Sequence, residues 1–322
     1  MSILYDGTMQ AHAFKEVLAD TLQTMCHQDQ DVIYLDADLM SCIGMDQYAK
    51  AHPDRAINCG IAESNMVGVA CGLAAVGFKP VIHTFGPFAS RRCFDQVFLS
   101  AGYAKNDITI IGTDPGVTAM YNGGTHMPFE DIALYRTIPT ATIIDITDEV
   151  MLKELLPKCV NLPGVKYIRV GRKYYAKVFA EDTEMTIGKA VTLREGKDAV
   201  VFATGILVHE AMKAANLLEQ EGISVAVVNP FTIKPLDEDA ILHYAKSTGA
   251  VVAAENHNRI GGLCSAIADL LCQRYPVAME CVAVEDCYGE VGPQDYLQER
   301  FGLTADHVAE AVKKAIGRKQ KK

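Results

Sequence analysis

The chain has 322 residues, 49% of them apolar and 22% charged, with a formal net charge of −10. That length and balance suit two globular domains, each with its own core. The acidic excess argues against non-specific binding to nucleic acid or an anionic membrane surface, and no apolar run approaches the ~18 residues that span a bilayer.

Short β-branched runs alternate with helical stretches along the first half. A helix is expected over about 9–27, then a buried strand at Val32-Ile33-Tyr34-Leu35. Further strands follow at Pro80-Val81-Ile82-His83, Ile108-Thr109-Ile110-Ile111 and Thr142-Ile143-Ile144. Helices are expected between them at about 64–76, 88–104, 128–137 and 148–159, the last opened by Asp148 as N-cap. A second series starts near Lys197. Its strands are Ala199-Val200-Val201-Phe202-Ala203, Val225-Ala226-Val227-Val228 and Val251-Val252-Ala253-Ala254. Its helices are about 208–219, with Gly222 as a stop signal, then 237–246, 262–274 and 306–316. This alternation is the signature of an α/β fold, here two doubly wound domains. Residues 173–188 are mixed and aperiodic and read as a linker between domains of residues 1–172 and 189–322.

Ten cysteines occur without a CxxC pair. Most, such as Cys71, Cys93, Cys159 and Cys272, sit among apolar residues and read as buried reduced thiols. With no leader-like N-terminus, a cytoplasmic location is expected. The basic tail Arg318-Lys319-Gln320-Lys321-Lys322 reads as a solvated, frayed end.

In open α/β sheets, ligands bind beyond the carboxyl ends of the strands. Four polar segments fall there: Asp36-Ala37-Asp38, Thr84-Phe85-Gly86-Pro87-Phe88 leading to Arg91-Arg92, Thr113-Asp114-Pro115-Gly116, and Gly123-Gly124-Thr125-His126-Met127-Pro128. Each has an ordinary alternative. Asp36 or Asp38 would cap a turn, His126 would be a satisfied loop histidine, and Arg91 and Arg92 would be solvated helix charges. Convergence of all four on one sheet edge favours a site. The run Cys59-Gly60-Ile61-Ala62-Glu63-Ser64-Asn65-Met66 adds a lone acid, Glu63, where an extended run meets a helix. That helix is built from Gly68, Ala70, Cys71, Gly72, Ala74 and Ala75. Helical glycine costs roughly 0.5–1 kcal/mol relative to alanine, so close approach of another backbone is expected. That backbone belongs either to the internal sheet or to a subunit interface. The motifs GxGxxG, GxxxxGK[ST], HExxH and GxSxG are absent, as is metal-ligand spacing.

These segments resemble the C-terminal half of transketolase, its pyrimidine-binding domain followed by its C-terminal domain, over about residues 10–315. Asp36-Ala37-Asp38-Leu39 is similar to the family's SADL segment, and Gly60-Ile61-Ala62-Glu63-Ser64-Asn65-Met66 to GIxEhxM. Thr84-Phe85 with Phe88 is similar to TFxxF, and Gly124-Thr125-His126-Met127-Pro128 with Glu130 to GPTHQPxE. Full-length relatives carry a GDG…N motif that binds the diphosphate of thiamine diphosphate through Mg²⁺ or Ca²⁺, and no GDG occurs here. The resemblance therefore implies one subunit of a split transketolase. An N-terminal subunit would supply that domain and its metal, the assembly would be α2β2, and this chain would also form a homodimer.

The resemblance also implies roles. Glu63 would share a proton with N1′ of the aminopyrimidine and favour the tautomer that deprotonates C2. An apolar pocket favours the neutral form of a carboxyl, which would help. Phe85 and Phe88 would cover the ring, Asp38 would sit near the thiazolium, and Arg91 would help hold the cofactor. His126 would contact substrate hydroxyls and assist proton transfer. Arg172, with Arg91 or Arg92, would bind the phosphate of a ketose. One departure stands out: Asp114 occupies a position where the family often has a second histidine. This points to another phosphorylated or sulfonated sugar. The Glu255-Asn256-His257 stretch, with Gly261-Gly262, resembles the family's E-x-H/N…GG segment and reads as a turn and helix start, the alternative being that His257 reaches the site mouth. Three other readings stay open: a 1-deoxyxylulose-5-phosphate synthase-like subunit, a 2-oxoacid dehydrogenase E1 β-like subunit, and a non-catalytic regulatory subunit.

Overall fold

A computed structural model describes residues 3–181 and 183–319. Among the described residues, twelve strands form two sheets: β1 (Val32–Asp36), β2 (Ala56–Asn58), β3 (Lys79–Phe85), β4 (Ile108–Thr113), β5 (Ala141–Asp145), β6 (Val165–Val170), β7 (Val191–Arg194), β8 (Ala199–Ala203), β9 (Val225–Asn229), β10 (Thr232–Lys234), β11 (Ala250–Asn258) and β12 (Ala278–Val284). The first sheet runs β10-β5-β6-β4-β3-β1-β2 and the second β12-β11-β8-β9-β7. All pairings are parallel except β10 with β5 and β7 with β9. The expected strands are present. β1, β4, β6, β8 and β9 are buried along their whole length, as parallel strands covered on both faces must be.

The sheets are interlocked. β10 follows β9 of the second sheet but pairs with β5 at the edge of the first. One apolar cluster runs continuously from Phe14, Leu18 and Leu155 to Val201, Leu207 and Val308. A buried arginine, paired with two carboxylates of the first domain, reaches across the same junction. Arg169, fully buried on β6, donates from Nε to Asp131 Oδ2 (2.8 Å), from Nη1 to Asp145 Oδ2 (3.0 Å) and from Nη2 to the Asn256 carbonyl (2.9 Å). Burial alone would lower the guanidinium's pKa, but Asp131 and Asp145 outweigh it and raise it. Burial also pushes the Asp145 carboxyl upward, against the pull of Arg169. Asn256 closes the contact, accepting from Val117 N (3.0 Å) and donating to the Pro115 carbonyl (2.8 Å).

Several elements differ from expectation. The first helix begins at Phe14, because Met9 is bridged to Ala176. The 88–104 stretch breaks into Gly86–Ala89, Phe94–Gln96 and a π-helical turn, Val97–Tyr103. The break falls at Ser90, whose φ and ψ of −113° and −94° are not helical. The 128–137 helix starts only at Asp131. β6 combines Lys166 and Arg169 with apolar neighbours, so it does not read as a buried strand. Asp148 does cap helix Glu149–Val160, accepting from Met151 N at 3.0 Å. Within 173–188, Tyr175, Val178, Phe179 and Met185 are buried.

All ten cysteines are free. Cys71, Cys93 and Cys159 are buried, and burial pushes the thiols of Cys93 and Cys159 up to about 12. Cys272 is exposed, contrary to expectation, because it lies on the outer face of helix Leu263–Arg274. The tail is corrected in part. Arg318 pairs with Glu280, and Lys319 donates to the Thr248 carbonyl, so helix Ala305–Lys319 carries both; residues 320–322 lie outside the described residues. Among the described residues, no helix is long and apolar enough to cross a membrane.

Candidate active site

The carboxyl ends of β1, β3 and β4 carry Asp36, Phe85 and Thr113 to one edge of the first sheet. After β3 the chain makes a single helical turn, Gly86–Ala89, that sets Phe88 beside Phe85 with ring centres 6.2 Å apart. The loop bearing His126 folds over them. Its ring centre lies 5.2 Å from Phe88 and 6.0 Å from Phe85. Gly86 permits this approach, since a Cβ there would meet Pro128 Cγ at 2.5 Å. The second domain supports the same loop from behind, where a Cβ on Gly124 would meet the Gly289 carbonyl at 2.4 Å.

Glu63 starts helix Glu63–Ala75 and is 3% exposed. Arg92 Nη1 donates to its Oε1 at 2.7 Å, while the guanidinium sits 3.7 Å from the Phe88 ring centre. The apolar surround expected for Glu63 therefore includes a cation, because the break after Ala89 turns Arg92 back toward the sheet edge. The Glu63 Oε2 oxygen has no hydrogen bond among the described residues.

Arg172 and Asp114 form a second pair. Arg172 Nε donates to Asp114 Oδ2 at 2.7 Å, Nη2 donates to the same oxygen, and the guanidinium lies 4.6 Å from the Phe85 ring centre. Burial would lower the Arg172 pKa, but the Asp114 carboxylate raises it. Asp114 is buried, with φ of +57°. Contacts thus run unbroken from Glu63 through Arg92, Phe88, His126, Phe85 and Arg172 to Asp114.

Two of the expected site residues stand differently. Arg91 bridges loops, donating to Glu130 Oε1 and to the Thr125 carbonyl, both at 2.7 Å. It braces the His126 loop and has both ends of its guanidinium occupied. Asp38 is exposed at φ +66° and exchanges hydrogen bonds with Asn58 at 3.0 and 3.1 Å. Among the described residues, no hydrogen bond or ion pair ties it to Glu63, His126 or Asp114.

Sequence reasoning missed the layer beneath. His83, fully buried, places Nδ1 2.7 Å from Asp36 Oδ2 and Nε2 3.1 Å from Thr113 Oγ1. Tyr34 Oη donates to the same Asp36 oxygen at 2.5 Å, and Leu39 N donates to Asp36 Oδ1. Burial and the Asp36 charge drive the Tyr34 phenol well above its ordinary pKa. Three polar side chains at matching depth in apolar strands β1 and β3 were the available signal. Glu255 is structural, accepting from Leu263 N (2.7 Å) and Cys264 N (2.8 Å) at a helix start. His257 is fully buried beside Asp131, away from any site mouth.

On helix Glu63–Ala75, Met66, Val67, Ala70 and Cys71 face inward. A Cβ on Gly68 or Gly72 would meet nothing within 4 Å. The internal sheet is therefore not what these glycines accommodate.

Residues 10–177 match the family described as transketolase, pyrimidine binding domain, and residues 188–308 match transketolase, C-terminal domain. The 6-deoxy-6-sulfo-D-fructose transketolase subunit SqwH of Clostridium sp. (strain MSTE9) is 44% identical over 98% of each chain. An apulose-4-phosphate transketolase subunit of Phocaeicola vulgatus is 32% identical over 93% of this chain and 96% of its own. A solved structure described as a split gene transketolase, inactive beta4 tetramer, superposes with a TM-score of 0.89 at 38% identity, covering 95% of this chain and 99% of that one.

Proposed function

The chain belongs to the transketolase family, and on that footing we propose that it is the pyrimidine-binding subunit of a split, thiamine-diphosphate-dependent transketolase, moving a two-carbon ketol unit from a ketose with an anionic end to an aldose. The observation that carries this reading is Glu63, a buried carboxylate at a helix start with one oxygen open and an aromatic pair nearby. That donor set fits an aminopyrimidine, which needs an acid for a ring nitrogen and flat apolar surface for its faces. The diphosphate and its Mg²⁺ or Ca²⁺ fall to an N-terminal partner subunit in an α2β2 assembly. The subunit names of similar proteins support that division.

Bound thiamine diphosphate supplies a carbon nucleophile and an electron sink. The chain's own residues do the rest. Glu63 holds a proton at the ring nitrogen through its open Oε2, while Oε1 keeps its Arg92 contact. Phe88 and Phe85 cover the ring and exclude water. His126 hydrogen-bonds substrate hydroxyls and passes protons at them. Arg172 draws the anionic end of the sugar, and Arg91 keeps the His126 loop in place. Asp38 would lie on the thiazolium side. The outward face of helix Glu63–Ala75, with Gly68, Gly72 and the exposed Val69 and Val76, suits a second copy of this chain.

Titration calorimetry with thiamine diphosphate and Mg²⁺ tests the division of labour. Weak or no binding is expected from this chain alone, and tight binding after addition of the partner subunit. Tight metal-dependent binding by this chain alone would overturn the split-subunit reading.

A further inference from the structure

Each of the three arginines around the aromatic pair already faces one carboxylate: Arg91 faces Glu130, Arg92 faces Glu63, and Arg172 faces Asp114. In the transketolase reading Arg172 meets the sugar's anionic end, and the backbone of its partner Asp114 is held in place. Asp114 is buried, its N–H donates to the Val170 carbonyl at 3.1 Å, and the preceding Thr113 is tied to His83. The Nε and Nη2 groups of Arg172 both point at Asp114 Oδ2, so the Nη1 side is left for a ligand.

An anion arriving there meets a nearly neutral pair rather than a free cation. Attraction to Arg172 grows in proportion to the ligand's charge, and Asp114 cancels part of it. The cost of stripping water from the ligand grows with the square of its charge. Weakening the first term while leaving the second intact moves the optimum toward a single charge. A sulfonate carries one negative charge throughout the physiological range, whereas a phosphate monoester approaches two above its second pKa of about 6.

Resting on the transketolase reading, we propose that Asp114 makes Arg172 a selector for a singly charged terminal group, so that a ketose ending in a sulfonate is preferred over one ending in a phosphate monoester.

The test uses this chain assembled with its partner subunit, thiamine diphosphate and Mg²⁺. Two matched ketoses, one ending in sulfonate and one in phosphate, are compared by kcat/KM. At pH 7.5 the sulfonate is expected to lead. On lowering the pH to 6, the phosphate substrate should gain on the sulfonate as it approaches a single charge. Asp114→Asn should shift the ratio about tenfold toward phosphate, and Asp114→Glu, which keeps the charge, should retain the wild-type preference. A wild-type preference for phosphate at pH 7.5 overturns the proposal. So does an Asp114→Asn variant that slows both substrates equally. Transfer from neither ketose by the assembled wild type would instead sink the transketolase reading, and this proposal with it.

Discussion

Arg92 holds Glu63 at 2.7 Å while its guanidinium lies 3.7 Å from the centre of the Phe88 ring. One side chain therefore links the buried acid to the aromatic surface beside it. Arg92 is about half exposed and Glu63 almost wholly buried, so the pair opens from the Arg92 side. A ligand nitrogen that reaches Glu63 Oε2 therefore arrives beside a cation rather than in an apolar hole.

Glu63→Gln should fold like the wild type, because the amide oxygen still accepts from Arg92 and the Arg92 end of the pair is half exposed, which limits the loss to about 1 kcal/mol. Turnover of the assembled enzyme should fall by roughly 10²–10⁴, the usual range for a lost proton-transfer group. Hydrogen–deuterium exchange at the cofactor's C2 reports the step directly. Wild-type exchange in the variant would remove Glu63 from its assigned role.

Arg169→Met should be strongly destabilising. It leaves Asp131 and Asp145 buried without their cation, a loss of about 3–5 kcal/mol in comparable cases. Urea unfolding of the two proteins checks this. A loss below about 1 kcal/mol would mean the carboxylates have other compensation.

Gly116→Ala tests how tightly the two sheets are docked. Gly116 has φ of +52°, and a Cβ there would lie 2.1 Å from Asn256 Oδ1. Strain and overlap together should cost about 2 kcal/mol or more. Asn256→Ala removes the same contact from the other side and should cost about 1–3 kcal/mol through its unpaired backbone partners. Thermal melting of both variants measures the effect, and an unchanged Tm in both would deny that this contact matters.

Lys166 gives a pH signature. Burial lowers its pKa to about 8, against about 10.4 for an unfolded lysine. Between those values the unfolded chain holds a proton that the native chain has released. Stability from this residue therefore rises with pH across that window, and below pH 8 the cost of the buried charge is paid in full. Lys166→Met removes the cost, about 3 kcal/mol from the shift, less about 1 for the lost hydrogen bond to the Leu162 carbonyl. The variant should be the more stable protein near pH 7, and its advantage should shrink toward pH 10. Urea midpoints at the two pH values decide it. An advantage that stays constant would show that Lys166 does not titrate as stated.

Much of the fold was legible because buried parallel strands need near-continuous apolar runs, and Val32–Leu35, Ile108–Ile111 and Ala199–Ala203 supply them. β6 does not read as a strand because Lys166 and Arg169 interrupt its apolar pattern, and the charge of Arg169 is satisfied by Asp131 and Asp145, 38 and 24 residues away. β10 escaped notice because three residues carry no periodicity, and its partner β5 lies some ninety residues earlier.

By itself the sequence determined the alternation of strands and helices, the position of Glu63 at a helix start and the polar segments at the strand ends, since these follow from local residue order. Only the tertiary structure decided which carboxylate each arginine meets. Glu63 and Arg92 are 29 residues apart, Arg91 and Glu130 are 39, and Asp114 and Arg172 are 58. Charge pairing depends on distances of a few ångströms in space, which residue order does not encode. Glu63, a lone acid in the sequence, has Arg92 as its partner because the chain turns back at Ser90.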